Sequence, residues 1–152
     1  NLVNVYSDNA GKDGWEKITL ASTIGGMVIN TAGVTLAHGM EHPASGLRDI
    51  VHGKGLAALT PAIIEASYTG NESKFADIAK LFGGKEAKDL ALKIRELLKS
   101  INLNCTLSDL GIEEKDIPWM AENCMKVSAA SVANNPVVFT QEQIADIYKK
   151  AL

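Results

Sequence analysis

The sequence predicts an all-α protein, a helical bundle of about seven helices in one domain over residues 1–152. Apolar residues recur at helical spacing, three or four positions apart, through most of the chain. The strand signal is weak everywhere, and only the run "NPVVF" at 135–139 has a β-like composition. The sequence also contains no strand–helix–strand unit, glycine-rich nucleotide turn or P-loop. We therefore expect no preformed phosphate-binding site within these residues.

Three helices are predicted in the first half of the chain. Asp13 is placed to cap the first, over 13–29, and the second covers 34 to about 44. The third opens at His52 and is expected to kink or restart at Pro61, because proline lacks the N–H that a helix interior needs. Part of this half, 18–37, is uncharged and rich in small side chains, so we expect it to be buried against neighbouring helices.

Four more helices are predicted in the second half. The first of them has Asn71 or Ser73 as its cap and ends at the Gly83–Gly84 pair. The last begins after a cap at Thr140 and carries an apolar stripe on one face. A turn-like segment, "TLSDLGIEEKDI", separates the middle two. The predicted ranges are 71–82, 85–102, 119–132 and 141–152.

The composition narrows the class of function. The chain is 46% hydrophobic and 22% charged with a net charge of −3, so neither nucleic acid nor a membrane surface is an expected partner. Glycine and threonine dilute the uncharged stretch too much for a membrane span. The opening residues do not resemble a signal peptide, so none is expected. Cys105 and Cys124 form no CxxC motif and are expected to be free thiols, which favours a cytoplasmic protein.

All three histidines of the chain lie close together. His38 and His42 stand in "HGMEH", and His52 follows in "DIVHGKG". Residues four apart on a helix project from the same face, and this is the spacing that lets two imidazoles bind one metal ion. His52 follows a loop that can bring it back beside the first pair. One histidine alone is more often structural, but this cluster favours a metal-linked role for at least two.

The same five residues match H-x-x-E-H, the motif of one class of zinc peptidase. That interpretation requires His38 and His42 as ligands, Glu41 as general base and a further carboxylate ligand downstream. On a helix, however, Glu41 points about 100° away from His42, and the downstream carboxylates lie on solvated faces. The scheme also leaves His52 without a role, so the sequence disfavours a peptidase.

The segment over 25–68 resembles the metal-binding stretch of the iron-containing (group III) alcohol dehydrogenases, within the dehydroquinate synthase-like superfamily. That family's pattern is similar to N-A-G-x-x-x-x-H-x-x-x-H-P-x-x-G followed by H-G-x-x-x-A-x-L-x-P. The histidine spacings of four and ten both match, and the later segments "TLSDLGIEEKDIP" and "NNPVVFTQEQIADIYKKAL" are also similar. The pattern falls here on Asn30 (one residue early), Ala32, Gly33, His38, His42, Pro43, Gly46, His52, Gly53, Ala57 or Ala58, Leu59 and Pro61.

The resemblance implies that the chain is a helical metal-binding domain, the C-terminal half of a two-domain fold. In this family the N-terminal domain binds NAD or NADP and contributes two metal ligands. By match to the motif, His38 and His52 are the metal ligands of this half, and His42 is a catalytic residue that relays a proton. The implied reaction interconverts a short alcohol and its aldehyde or ketone. Fe²⁺ or, alternatively, Zn²⁺ polarises the oxygen while hydride passes to or from the nicotinamide.

The chain departs from the family pattern in its length and at two residues near the histidines. No residues correspond to the N-terminal nucleotide-binding domain, so the chain alone is expected to be inactive and to need that domain as a partner. A homo-oligomer is also expected, because an apolar wall around Ile29, Val34 and Met40 would be left exposed. Glu41 stands where the family commonly has a small residue, and Val51 replaces a proline. The alternative from another class is a stand-alone helical interaction domain with structural histidines.

Overall fold

The computed structural model describes residues 1–152, which form nine α-helices, two 3₁₀ turns and no strand. The all-α class is therefore confirmed, and two short helices, α1 and α8, raise the number above the seven predicted. The 3₁₀ turns lie at Tyr68–Asn71 and Glu114–Asp116. The helices are α1 (Leu2–Tyr6), α2 (Gly11–Ala32), α3 (Leu36–Arg48), α4 (His52–Ser67), α5 (Glu72–Leu81), α6 (Asp89–Ser100), α7 (Ile117–Val127), α8 (Ala129–Ala133) and α9 (Gln141–Ala151).

The core lies between α3, α4, α7 and α9, with α6 against α4 and α5 against α6. Two of the predicted caps are present: Asn71 accepts a hydrogen bond from the Lys74 N–H at 3.2 Å, and Thr140 accepts one from the Gln143 N–H at 3.3 Å. The prediction that Asp13 caps the first long helix is wrong, because α2 begins two residues earlier, at Gly11, and Asp13 lies inside its first turn. The apolar face of α9 is buried as its periodicity predicts. The largest fully buried apolar side chains are Tyr148, Leu36, Met40, Leu59, Leu107, Ile112, Ile117, Met120 and Ile144.

Two helices continue through prolines. α3 extends beyond its predicted end, through Pro43 to Arg48, and stops where Asp49 adopts a left-handed conformation with φ of 51°. α4 opens at His52 as predicted but passes through Pro61 without the expected restart. Both prolines are buried, so tertiary packing outweighs the local cost of a missing N–H.

The predicted helix over 119–132 is divided into α7 and α8. The chain turns at Ser128, whose N–H donates to the Cys124 carbonyl at 2.9 Å, and α8 then packs against α3. Gly39 permits this close approach, because a Cβ atom there would lie 3.1 Å from the Ser128 Cβ. The β-like run at 135–139 pairs with no strand.

The exposure of α2 contradicts the prediction for 18–37. Along this helix only Gly14 is buried, and its packing contacts are mainly with α1. At its C-terminal end, the Asn134 Nδ2 donates to the Ala32 carbonyl at 3.0 Å and to the Val34 carbonyl at 3.2 Å. Helical periodicity predicted the helix correctly, but no other part of this chain packs against its small side chains.

The expected apolar wall is only partly present. Ile29 is 50% exposed, whereas Met40 is fully buried and was wrongly assigned to that surface. No single helix is long and apolar enough to cross a membrane. Only α2 and α3 together reach the necessary length and composition, and they are bent by 101° where they meet.

Candidate metal centre

The three histidines converge at the junction of α3 and α4. His38 and His42 lie one turn apart on α3, and His52 is the first residue of α4. The left-handed Asp49 ends α3, and an extended Val51 precedes α4, so a short loop returns His52 to the other two rings. This is the convergence that the sequence suggested but could not establish.

The distances between the rings distinguish the pairs. The ring centroids of His38 and His52 are 5.2 Å apart. Two imidazoles on one tetrahedral ion, with metal–nitrogen bonds of about 2.1 Å, have centroids about 5 Å apart. The His42 centroid lies farther away, 6.4 Å from His38 and 6.0 Å from His52. The spacing fits His38 and His52 as a ligand pair better than either pair that includes His42.

Burial favours the neutral form of His38, which is the form that can bind a metal ion. Burial and the neighbouring His52 and His42 rings lower the pKa of His38, against a smaller opposing effect of Glu41. A neutral imidazole has a free nitrogen lone pair for a metal, whereas an imidazolium has none. The chemistry of this side chain therefore fits a cation-binding role.

Glu41 is the residue of this site whose position the sequence did not predict. It is fully buried, and its two carboxylate oxygens lie within hydrogen-bond distance of the Ser45 hydroxyl and the His52 Nδ1. The i, i+4 spacing of Glu41 and Ser45 is a signal that they share a helix face. No signal in the sequence pairs Glu41 with His52, because that contact depends on the loop between α3 and α4.

The structure contradicts the peptidase interpretation. The general base of such an enzyme must reach the water molecule that attacks the substrate. Glu41 is instead fully buried and hydrogen-bonded to His52. Nowhere in the chain do three or more His, Cys, Asp or Glu side chains come together in a geometry that could hold a metal ion. Because catalytic metal sites commonly use three protein ligands, these residues form at most part of such a site.

Fold and site together define a helical domain that offers paired imidazoles at a helix junction. Its whole length, residues 1–152, matches the family model described as Fe-containing alcohol dehydrogenase family, C-terminal. The chain is 35% identical over 144 residues to the 1,3-propanediol dehydrogenase of Citrobacter freundii, covering 90% of this chain and 37% of that protein. It is 30% identical over 150 residues to the lactaldehyde reductase of Escherichia coli (strain K12), covering 92% and 38%.

Solved structures give the same result. An archaeal halo-thermophilic alcohol dehydrogenase from a Red Sea brine pool superposes with a TM-score of 0.90 at 30% identity, over 99% of this chain and 41% of that one. A 1,3-propanediol oxidoreductase superposes with a TM-score of 0.85 at 34% identity, over 98% and 41%. The chain belongs to the Fe-containing alcohol dehydrogenase family and corresponds to its C-terminal helical part. It spans well under half the length of these relatives.

Proposed function

We propose that this chain supplies the metal-binding half of the active site of an NAD(P)-dependent alcohol dehydrogenase. The reaction interconverts a short alcohol and its aldehyde or ketone. The observation that carries the proposal is the pair of His38 and His52, whose ring centroids lie 5.2 Å apart in a chain of this family.

The two residues contribute two of the ligands for a divalent ion, Fe²⁺ or alternatively Zn²⁺. When bound, the ion supplies Lewis-acid chemistry, polarising the substrate oxygen and lowering the pKa of an alcohol. We assign the remaining ligands and the NAD(P) site to a separate N-terminal domain. This chain matches a C-terminal family model, and its relatives are more than twice as long as the matched region. His38 and His52 anchor the ion from α3 and α4, two helices packed on the core.

His42 has a different role in this proposal. Its ring lies outside the ligand pair, and the residue is exposed. A ring in this position can accept a proton at one nitrogen and release one from the other, because a neutral imidazole has one acceptor nitrogen and one donor nitrogen. His42 therefore relays a proton between the substrate and solvent.

The test compares the metal content and the rate of three variants, in an enzyme that joins this chain to a nucleotide-binding domain. His38→Ala and His52→Ala should each lose the ion, because each removes one ligand. His42→Ala should keep the ion and lose rate by about 10²- to 10⁴-fold, the usual contribution of general acid–base catalysis. Metal is measured by elemental analysis and rate by NAD(P)H absorbance.

The chain of 152 residues, assayed alone, is the control. It should show no NAD(P)H-dependent aldehyde reduction, since the proposal assigns the cofactor site to the N-terminal domain. The assignment is wrong if His42→Ala loses the ion while His38→Ala retains it.

A further inference from the structure

We infer that Glu41 is a positioning residue, which fixes the orientation and tautomer of His52 so that the His52 Nε2 is left free to hold the ion. This inference rests on the proposed metal-binding role of His38 and His52.

Glu41 lies in the interior of the chain. Its side chain is fully buried, and a carboxylate is costly to bury unless its oxygens are hydrogen-bonded. Both oxygens have partners, Ser45 and His52, and the chain contains no buried side-chain polar atom without a partner. A buried carboxylate with a complete set of partners is held in one place and can hold a neighbour in turn.

The contact with Glu41 determines the tautomer of His52. A carboxylate accepts hydrogen bonds, so the His52 Nδ1 must be the nitrogen that carries the proton. In the neutral ring the Nε2 then has the free lone pair. Ligating histidines generally donate their other ring N–H to a carboxylate or carbonyl, which fixes the ring and makes it a stronger ligand. Glu41 provides that acceptor for His52.

Glu41 restricts the motion of the His52 ring. His52 is the first residue of α4, and its side chain is 51% exposed, so packing alone does not fix its ring. The Ser45 hydroxyl also lies 3.0 Å from the carbonyl oxygen of Ile50, in the loop that leads to His52. The Ser45 hydroxyl carries one proton, which the Glu41 carboxylate and the Ile50 carbonyl share, so Ser45 links the carboxylate that contacts the ring to the loop that carries it.

The Glu41 side chain packs closely against the backbone of α4. Gly55, one turn into α4, faces the Glu41 side chain, and a Cβ atom there would lie 2.8 Å from both its Cγ and its Oε1. Real Cβ atoms essentially never approach so closely. The α4 backbone thus leaves a recess for the Glu41 carboxylate.

Two variants separate the hydrogen bond from the packing. Glu41→Gln keeps an oxygen that can accept from the His52 Nδ1–H, and its amide can donate to the Ser45 hydroxyl. Glu41→Met fills a similar volume but offers no strong acceptor, and the Ser45 hydroxyl can then give its one proton to the Ile50 carbonyl, 3.0 Å away. Thermal unfolding of both variants establishes that they are folded.

The first readout is the tautomer of His52 in the metal-free chain, measured by ¹⁵N NMR of the imidazole nitrogens. The wild type and Glu41→Gln should show a protonated Nδ1 and an unprotonated Nε2 in the neutral ring. Glu41→Met should lose this preference. A wild-type His52 with the proton on Nε2, or an unchanged tautomer in Glu41→Met, overturns the inference.

The second readout is the affinity of the chain for Zn²⁺ and Co²⁺, with His38→Ala as the control that identifies binding at this site. Glu41→Met should bind about 10- to 100-fold more weakly than the wild type, the usual effect of removing such a partner. Glu41→Gln should lie between them, because the acceptor remains and the negative charge is lost. Equal affinities in the wild type and Glu41→Met overturn the positioning role.

The two readouts also separate this inference from the proposed function. If His38→Ala binds both ions as well as the wild type does, the metal site itself is wrong. The tautomer result then shows independently whether Glu41 fixes the His52 ring.

Discussion

Tyr148 links the last helix to the helix that carries two of the histidines. Its hydroxyl donates to the Met40 carbonyl at 2.5 Å, and Met40 lies between His38 and His42 in α3. Burial, with nearby Cys124 and Glu41, raises the pKa of Tyr148, so the hydroxyl stays protonated and remains a donor. A single hydrogen bond therefore connects the core of the domain to the backbone beneath the site.

Tyr148→Phe tests this connection, since it removes the hydroxyl and keeps the ring. We expect the free energy of unfolding to fall by about 1 kcal/mol, the usual net value of one hydrogen bond. Urea unfolding followed by circular dichroism measures the change. Tyr6→Phe is the matched control, because Tyr6 is 55% exposed and its loss of a hydroxyl should have no effect. Equal stabilities of the two variants would show that the Tyr148 bond contributes nothing.

At the scale of helices, the site depends on how closely α4 packs against α3. Gly55 of α4 lies against the Glu41 side chain, whereas Gly53, in the same helix, has no neighbour within 4 Å of where a Cβ atom would stand. The same substitution should therefore destabilise the chain at Gly55 but not at Gly53.

We expect Gly55→Ala to destabilise the chain by about 1–3 kcal/mol, the usual cost of overpacking. Gly53→Ala should be neutral or slightly stabilising, because alanine is the better helix former and meets no neighbour. The double variant Glu41→Ala/Gly55→Ala should be more stable than the sum of its single variants predicts, because the collision is gone. Strict additivity of the two changes, measured by urea unfolding, would contradict the contact.

At the scale of the whole molecule, α2 presents an apolar stripe that the rest of the chain does not cover. Leu20, Ile24, Met27 and Val28 recur at helical spacing and are 60%, 50%, 65% and 54% exposed. A continuous apolar surface of this kind is usually covered by a partner. In the proposed enzyme the N-terminal domain is the natural candidate for that partner.

Without that domain, we expect the chain to self-associate through the α2 stripe. Sedimentation velocity over a range of concentrations measures the association, and Leu20→Lys/Ile24→Lys should abolish it by placing charges in the interface. Leu92→Lys is the control, because Leu92 is a 57% exposed leucine on α6, away from α2. A wild-type chain that stays monomeric at high micromolar concentration would show that the stripe does not drive association.

The same exposed helix shows where the sequence was insufficient. Periodicity and caps located α5 and α9 well, because the apolar stripe and the capping hydrogen bonds of a helix are set by residues three or four positions apart. Burial of α2 was predicted from its small, uncharged side chains, but burial requires a neighbour that local sequence does not specify. The division at Ser128 was missed for a related reason, since it lets α8 pack against α3.

What the sequence alone determined is the all-α class, most of the helices, and the histidine spacing that identified the family. Each of these depends on local periodicity or on a motif of fixed spacing. Only the tertiary structure decided that the His52 ring returns to His38, that Glu41 is buried against His52, and that Gly55 leaves room for it. These contacts join residues 11 to 14 positions apart across a loop. Their geometry depends on how α3 and α4 pack, which the spacing of residues does not specify.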